Sequence, residues 1–190
     1  MDEEPKLTPL RLAILGLVDM YPQSGYDLKK VFETTPMGNF SSSPGAIYPA
    51  LKSLERQRWV RGTAENTESL RPRLVYSITA EGERVLIAEL ERPVTHEDMI
   101  WHFDLVMLRF AFIEKLGHAE ALRFLGEFGS EAAAYVSYLE GLRETMGPQL
   151  SPCGRLALEH GIASSAANAR WAERAIGELE TPDIERWERT

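Results

Sequence analysis

The chain has 190 residues, 44% of them hydrophobic, and a formal net charge of −8. It is therefore long enough for one domain or two small ones, and too apolar for a disordered chain. Its single cysteine, Cys153, excludes an internal disulfide framework and most cysteine-based zinc sites. No stretch reaches the roughly 18 uninterrupted apolar residues of a membrane span, and the acidic start Met1-Asp2-Glu3-Glu4 is unlike a secretory signal. We therefore expect a cytoplasmic protein with no membrane partner.

The N-terminal region begins with two predicted helices. A cap followed by proline, Thr8-Pro9, opens an apolar-periodic stretch, which predicts a largely buried helix from Leu10 to Met20. Ser24 is a cap for a second helix, and Asp27 in its first turn suits the positive end of the helix dipole. Tyr26 has two interpretations that the sequence leaves open, namely core packing or a hydroxyl close to a phosphate.

The next predicted helix, Ser43 to Arg58, carries the chemistry of most interest. Ser43-Pro44 is again a cap followed by proline. Ile47, Leu51 and Leu54 recur at spacings of four and three residues, which predicts one buried stripe. The opposite face carries short, aromatic or basic side chains suited to a DNA groove and to phosphates. These are Ser42, Ala46, Tyr48, Lys52, Ser53 and Arg56.

Pro49 falls inside this predicted helix. Proline lacks the backbone N–H, and its ring would meet the carbonyl group of Gly45, so a kink is expected at this point. Such a residue is unusual in a helix with a purely structural role.

A hairpin is predicted immediately after this helix. Trp59 to Ala64 and Leu74 to Ile78 read as strands, and the polar loop between them carries Arg71 and Arg73. Helix, strand, basic-tipped loop and strand is the order of a winged helix, with the helix in the major groove and the loop arginines on the backbone or minor groove. The alternative is a plain amphipathic helix followed by a surface hairpin.

Two motifs in this region resemble the PadR family of bacterial transcriptional regulators. Ile47-Tyr48-Pro49-Ala50-Leu51 is similar to the run that marks the family's recognition helix, and Tyr76-Ser77-Ile78-Thr79-Ala80-Glu81-Gly82 to the run at its second wing strand and next helix. Gly25-Tyr26-Asp27-Leu28 also looks like the family. One departure is Gln57-Arg58, where the family often has a glycine that ends the helix.

The resemblance and the face of the helix together nominate a set of DNA-binding residues. They are Tyr26, Ser41, Ser42, Ser43, Ala46, Tyr48, Lys52, Ser53, Arg56, Arg71 and Arg73. The charge distribution agrees with this choice despite the acidic total. Between residues 41 and 80, six lysines and arginines stand against three glutamates, an excess of three positive charges, and phosphate binding depends on the local face.

The second half of the chain reads as helical throughout. Pro93 follows a helix that starts at Thr79, so we expect a DNA-binding domain over 1–91 and a second domain over 92–190. Single helices are predicted for Thr95 to Lys115, for Glu120 to Met146 and for about Gly154 to Leu179. Stripes this long favour burial against a second subunit. The resemblance to long PadR proteins implies that these helices form a homodimer.

Other chemistry has little support in the sequence. His96, Asp98, His102 and Asp104 lie close together, but a solvated helix face is the more common explanation than a metal site. No nucleophile elbow, P-loop or dinucleotide fingerprint occurs, so we expect neither an enzyme nor a cofactor.

Three aromatic residues of the second half remain open to two interpretations. Trp101, Phe103 and Trp171 fit an interface core, or else a pocket for a small aromatic effector. Among PadR proteins, some repressors are released by such compounds and other members have no known ligand.

The sequence thus predicts a mainly α fold, with an N-terminal winged helix-turn-helix that has a two-stranded β wing and a C-terminal helical dimerisation domain. The predicted function is a homodimeric, sequence-specific regulator that binds double-stranded DNA, acting as a repressor relieved by an aromatic ligand. The alternatives are a winged-helix protein-interaction module and a small-molecule sensor with a secondary DNA role.

Overall fold

The computed structural model describes residues 7–40, 44–65 and 73–180, and the chain divides into two compact units, Met1–Glu89 and Leu90–Thr190. In chain order the elements are α1 Pro9–Met20, β1 Gln23–Ser24, α2 Gly25–Thr34, α3 Ile47–Arg56, β2 Val60–Glu65, β3 Arg73–Ile78, α4 Ala80–Glu91, α5 His96–Trp101, α6 Phe103–Phe110, α7 His118–Met146 and α8 Pro152–Glu180. Short 3-10 turns occupy Pro36–Phe40, Pro44–Ala46, Ile113–Leu116 and Gly147–Gln149. The predicted mainly α fold with an N-terminal winged helix is confirmed.

Helix α1 is the core of the first unit. The Thr8 side chain accepts a hydrogen bond from the backbone N–H of Arg11 at 3.4 Å and so caps the helix. Every residue from Leu12 to Val18 is buried. A helix that is apolar on all sides must be enclosed by protein, and here α3 and β3 pack against it.

The small sheet has three antiparallel strands in the order β1-β3-β2. Tyr76 in the central strand pairs with Gly62 on one side and with Gln23 on the other. The two wing strands were predicted, whereas β1 was not, because a strand of two residues has no periodicity to detect. The Gln23 side chain is buried, and its Nε2 donates a hydrogen bond to the carbonyl oxygen of Leu17 at 2.7 Å.

The start of α3 changes the expected role of Pro49. A 3-10 turn at Pro44–Ala46 precedes the α-helix, which begins only at Ile47. Pro49 is therefore the third residue of the helix, where the backbone N–H would have no intrahelical partner in any case. Because proline is tolerated in the first helical turn, its position here does not require the predicted kink.

Helix α3 ends in a Schellman motif that has an arginine in the usual glycine position. The N–H of Trp59 donates to the carbonyl oxygen of Leu54, and the N–H of Arg58 to that of Glu55, both at 2.9 Å. Arg58 has φ = 62°, a left-handed conformation that L-residues other than glycine adopt at a cost. The α-helix therefore ends at Arg56, two residues before the predicted end at Arg58, and Arg58 itself adopts a strained conformation.

Thr79 joins the end of the wing to α4. Its hydroxyl donates to the carbonyl oxygens of Arg58 and Trp59, at 2.5 and 3.2 Å, and accepts from the N–H of Gly82 at 3.1 Å. The carbonyl group of Trp59 also fills the space beside the α-carbon of Gly82, so closely that a β-carbon there would collide with backbone. These contacts explain why the second motif has a threonine at position 79 and a glycine at position 82.

The second unit begins with two short helices where one was expected. The prediction of a single helix from Thr95 to Lys115 was wrong, because His102, with φ = −134° and ψ = 27°, leaves the helical region between α5 and α6. The apolar pattern continues across this break and gives no sign of it. At the start of α5, Thr95 and Asp98 form a capping box, and the buried Asp98 carboxylate also accepts from Arg92 at 3.1 Å.

Helices α7 and α8, of 29 residues each, pack against each other as a helical hairpin. Gly129 lies in this contact, because a β-carbon on it would be 3.2 Å from the β-carbon of Ala172. Both helices agree with their predicted positions to within two residues. Within the described ranges, no helix combines the length and the apolarity that crossing a bilayer requires.

Candidate nucleic-acid interface

Helix α3 has one buried and one exposed side, as its pattern predicted. Ile47, Leu51 and Leu54 are fully buried. Tyr48 is 49% exposed, and Lys52 and Arg56 are exposed as well, so the three side chains follow one another at intervals of four residues. Residues at this spacing lie on the same face of a helix. We call Tyr48, Lys52 and Arg56 the exposed stripe of α3.

Ser53 does not belong to the exposed stripe, which corrects the predicted face. It is only 8% exposed, and its hydroxyl oxygen accepts a hydrogen bond from Nη2 of Arg11 at 2.7 Å. The side chain therefore connects α3 to α1. Ala46 lies in the 3-10 turn that precedes α3 and is half-buried.

The position of the Tyr48 side chain depends on a glycine at the start of α2. A β-carbon on Gly25 would be 2.7 Å from Cε1 of Tyr48 and 3.3 Å from its Cδ1. The ring therefore lies against the bare α-carbon of Gly25. The neighbouring Tyr26 is 70% exposed, which rules out core packing for that side chain within this unit.

Arg73, at the start of β3, forms an ion pair with Asp27 in the first turn of α2. Asp27 also accepts hydrogen bonds from the backbone N–H and the hydroxyl of Ser24, at 3.0 and 2.8 Å. Burial alone would raise the pKa of the Asp27 carboxyl, but the bonds from Ser24 and the pair with Arg73 outweigh it and hold that pKa below its usual value. An ion pair thus connects the start of β3 to the first turn of α2.

Glu55 connects α3 to the other wing strand. Its Oε1 accepts a hydrogen bond from the backbone N–H of Gly62 in β2 at 3.1 Å. Burial raises the pKa of the Tyr76 phenol, and the nearby Glu55 carboxylate and Tyr48 add to the rise. Hydrogen bonds therefore connect helix α3 to β2 as well as to α1.

Four of the predicted DNA-binding residues, Ser41, Ser42, Ser43 and Arg71, lie outside the described residues. Two further residues of this surface, Asp27 and Lys30, were not predicted from the sequence to belong to it. Asp27 was assigned only to the helix dipole, and its pairing with Arg73, 46 positions away, has no local signal. Lys30 was not singled out, yet it lines an open depression of about 450 Å³ together with Tyr21, Asp27 and Arg73.

In the second unit, two of the three predicted effector residues share a neighbour. The rings of Phe103 and Trp171 lie 6.0 and 5.4 Å from that of Phe128, and Trp171 meets Phe110 edge-on at 5.3 Å. These ring contacts do not include Trp101, which is 74% exposed. We call Phe103, Phe110, Phe128 and Trp171 the aromatic cluster.

The histidine-rich region is already engaged in other contacts. Asp98 is buried and bound by Thr95 and Arg92, while His96 faces Tyr135 edge-on and lies 3.8 Å from a carboxylate oxygen of Glu131. Over the parts of the chain that the structure describes, no group of three or more acidic, histidine or cysteine side chains is placed to hold a metal ion.

Each half of the chain matches the model of a known protein family. Residues 14–88 match the model of the transcriptional regulator PadR-like family, and residues 104–180 match a model described as virulence activator alpha C-term. Among curated proteins, the transcriptional regulator YqjI of Escherichia coli is 44% identical over 48 residues, which is 25% of this chain and 23% of that relative. The match thus spans less than a quarter of the relative's length.

Two solved structures are similar along most of the chain. Bacillus subtilis PadR in complex with operator DNA is 26% identical, with 90% of this chain and 98% of that one covered and a TM-score of 0.41. A PadR-like transcriptional regulator from Bacillus cereus is 25% identical, with 92% and 99% covered and a TM-score of 0.39. The family model covers most of the winged helix and both of its motifs, so residues 14–88 form a domain of the PadR-like family of transcriptional regulators.

Proposed function

We propose that the chain acts as a cytoplasmic homodimer that binds operator DNA sequence-specifically and represses transcription. Helix α3 enters the major groove with its exposed stripe toward the bases and phosphates. The observation that carries this proposal is the stripe itself, because Tyr48, Lys52 and Arg56 project from a helix whose other side is fully buried. Lysine and arginine supply phosphate contacts and guanine readout, and a rigid helix gives them a defined register.

The wing supplies the second set of DNA contacts in this proposal. Arg73 and Arg71 grip the backbone beside the groove, and the exposed Tyr26 at the start of α2 reaches a phosphate, as do the serines at 41–43. The exposure of Tyr26 supports this role, as does the position of Arg73 at the first residue of β3.

Dimerisation is supported by the surface of the second unit. Of the 29 residues of α8, only Ser165 and Ala172 are buried, and large apolar side chains such as Tyr138 and Leu156 are exposed. A second copy of the hairpin would cover such surfaces. Two copies would also present two α3 helices to two half-sites, which is how helix-turn-helix proteins commonly reach specificity.

The ligand proposal rests on the aromatic cluster. Trp171 is half-buried and is flanked edge-on by Phe110 and Phe128, an arrangement that suits stacking of a planar compound. We propose that a small aromatic effector binds beside Trp171 and releases the DNA. Quenching of tryptophan fluorescence by such compounds in the wild type, and its loss in Trp171→Phe but not in Trp101→Phe, is the expected result.

DNA binding is tested by fluorescence anisotropy with the DNA just upstream of the gene, a scrambled duplex and at least two salt concentrations. We expect tighter binding to the upstream DNA, with an affinity that falls as salt rises. Arg56→Ala should weaken binding, while Arg84→Ala, which removes an exposed charge from α4, should not. Absent or salt-insensitive binding would favour the alternative of a winged helix used for protein contacts.

A further inference from the structure

We propose that Asp27 is a positioning residue for DNA binding, which holds the Arg73 guanidinium so that its remaining N–H groups meet a backbone phosphate. The inference rests on the proposed function and deepens it. It assigns a favourable role to a carboxylate that, by charge alone, should repel DNA.

Asp27 is itself held in place by the N-terminal cap of α2. Its Oδ2 accepts two hydrogen bonds from Ser24, and the Ser24 hydroxyl accepts in return from the Asp27 backbone N–H at 3.3 Å. This capping box sets the side-chain conformation of Asp27 at the first turn of α2. The carboxylate is therefore a rigid anchor.

Arg73 is a long side chain at the first residue of β3. Without a partner it would sample many rotamers, and a phosphate would have to order it on binding. The ion pair with Asp27 orders it in advance. One guanidinium nitrogen, Nη2, bonds Asp27, and the side chain is still 46% exposed, so further donors of the planar fork are available to an anion.

A second cation lies close to Arg73 on the same concave surface. Arg73 and Lys30 line the same open depression, beside Tyr21 at the end of α1. Two cations around a concave surface form an attractive site for a DNA phosphate. Asp27 lies in the same depression and lowers its net positive charge. If Asp27 mainly repels DNA, removing its carboxylate should tighten DNA binding. If it mainly positions Arg73, removing it should weaken DNA binding.

The test is anisotropy with full-length wild type, Asp27→Asn, Arg73→Ala and the double variant, on the upstream DNA over a range of salt concentrations. Asparagine retains an oxygen for the Ser24 cap and removes the charge. We expect Asp27→Asn to weaken DNA binding at least threefold although the protein becomes less negative. The same change in the Arg73→Ala background should not weaken binding.

Glu33→Gln is the matched control, because it removes one exposed negative charge from the same helix, where Glu33 pairs with Lys29 instead. It should leave affinity unchanged or slightly raise it. Tighter or unchanged binding by Asp27→Asn, or equal weakening in both backgrounds, would overturn the positioning role.

A second variant keeps the proposal testable should Asp27→Asn fail to fold. Arg73→Lys retains the charge but loses the planar fork that bonds a carboxylate and a phosphate together. We expect at least threefold weaker binding with the salt slope unchanged, and wild-type affinity in this variant would contradict the proposal. If the wild type shows no salt-dependent DNA binding, the proposed function is contradicted as well. If the wild type binds DNA in a salt-dependent way and Asp27→Asn binds it more tightly, only the positioning role is overturned.

Discussion

The ring of Tyr48 lies against the bare α-carbon of Gly25, so that a β-carbon on residue 25 would be 2.7 Å from Cε1. The exposed stripe of α3 therefore depends on a residue of α2. We expect Gly25→Ala to displace the ring and weaken DNA binding severalfold with little loss of stability, because the far end of a flexible side chain moves cheaply. Anisotropy and thermal unfolding measure the two effects, and in a Tyr48→Ala background the loss of affinity should disappear.

Adjacent positions of α3 should separate stability from DNA binding. Ser53→Ala breaks the partly buried hydrogen bond with Arg11 and should lower the free energy of unfolding by about 1 kcal/mol without changing DNA affinity. Lys52→Ala should leave stability unchanged and flatten the dependence of affinity on salt by about one unit. Urea unfolding and salt titrations check the pair, and an effect of Ser53→Ala on the salt slope would contradict its burial.

Gly82→Ala should destabilise the first unit strongly. A β-carbon at this position meets the backbone carbonyl of Trp59, which cannot move without disturbing the wing, so we expect a loss of about 2–3 kcal/mol. The matched control is Gly126→Ala in α7, where a β-carbon meets nothing within 4 Å. That change should raise the free energy of unfolding by ~0.5–1 kcal/mol. Both are read by urea unfolding.

Arg58→Gly should stabilise the protein. Arg58 adopts φ = 62° in the Schellman motif at the end of α3, and glycine occupies this region without the steric penalty, so a gain of about 1 kcal/mol is expected. Arg58→Ala removes the same side chain but keeps a β-carbon and should give no such gain. Equal unfolding free energies for the alanine and glycine variants would show that the backbone is not strained.

Acid unfolding should depend on Asp98. Burial would raise the pKa of its carboxyl, but hydrogen bonds from Thr95 and the pair with Arg92 outweigh it and leave the pKa below 3.8. Stability from this group is therefore present above the unfolded-state pKa and is lost as the pH falls through the folded-state value. Asp98→Asn should make the unfolding free energy fall less steeply below about pH 4. An identical pH profile for wild type and variant would contradict this.

Periodicity and short motifs were sufficient for most of the helices, the two wing strands and the resemblance of the winged helix to the PadR family. The stripe of Ile47, Leu51 and Leu54 predicted which side of α3 is buried, because burial follows the helical repeat directly. The same repeat misassigned Ser53, which sits at the border of the two faces. Only the position of Arg11 on another helix decides that this hydroxyl points inward.

Local sequence by itself thus determined most of the helical segments, their apolar faces and the motifs they carry, since all of these depend on residues within one or two turns. Three contacts depend on the tertiary structure alone. Asp27 forms an ion pair with Arg73, the ring of Tyr48 packs on the α-carbon of Gly25, and the carbonyl group of Trp59 packs on that of Gly82. Each of these contacts joins residues at least 23 positions apart. Such contacts arise only when the elements pack, because no local pattern records which side chain another element will bring near.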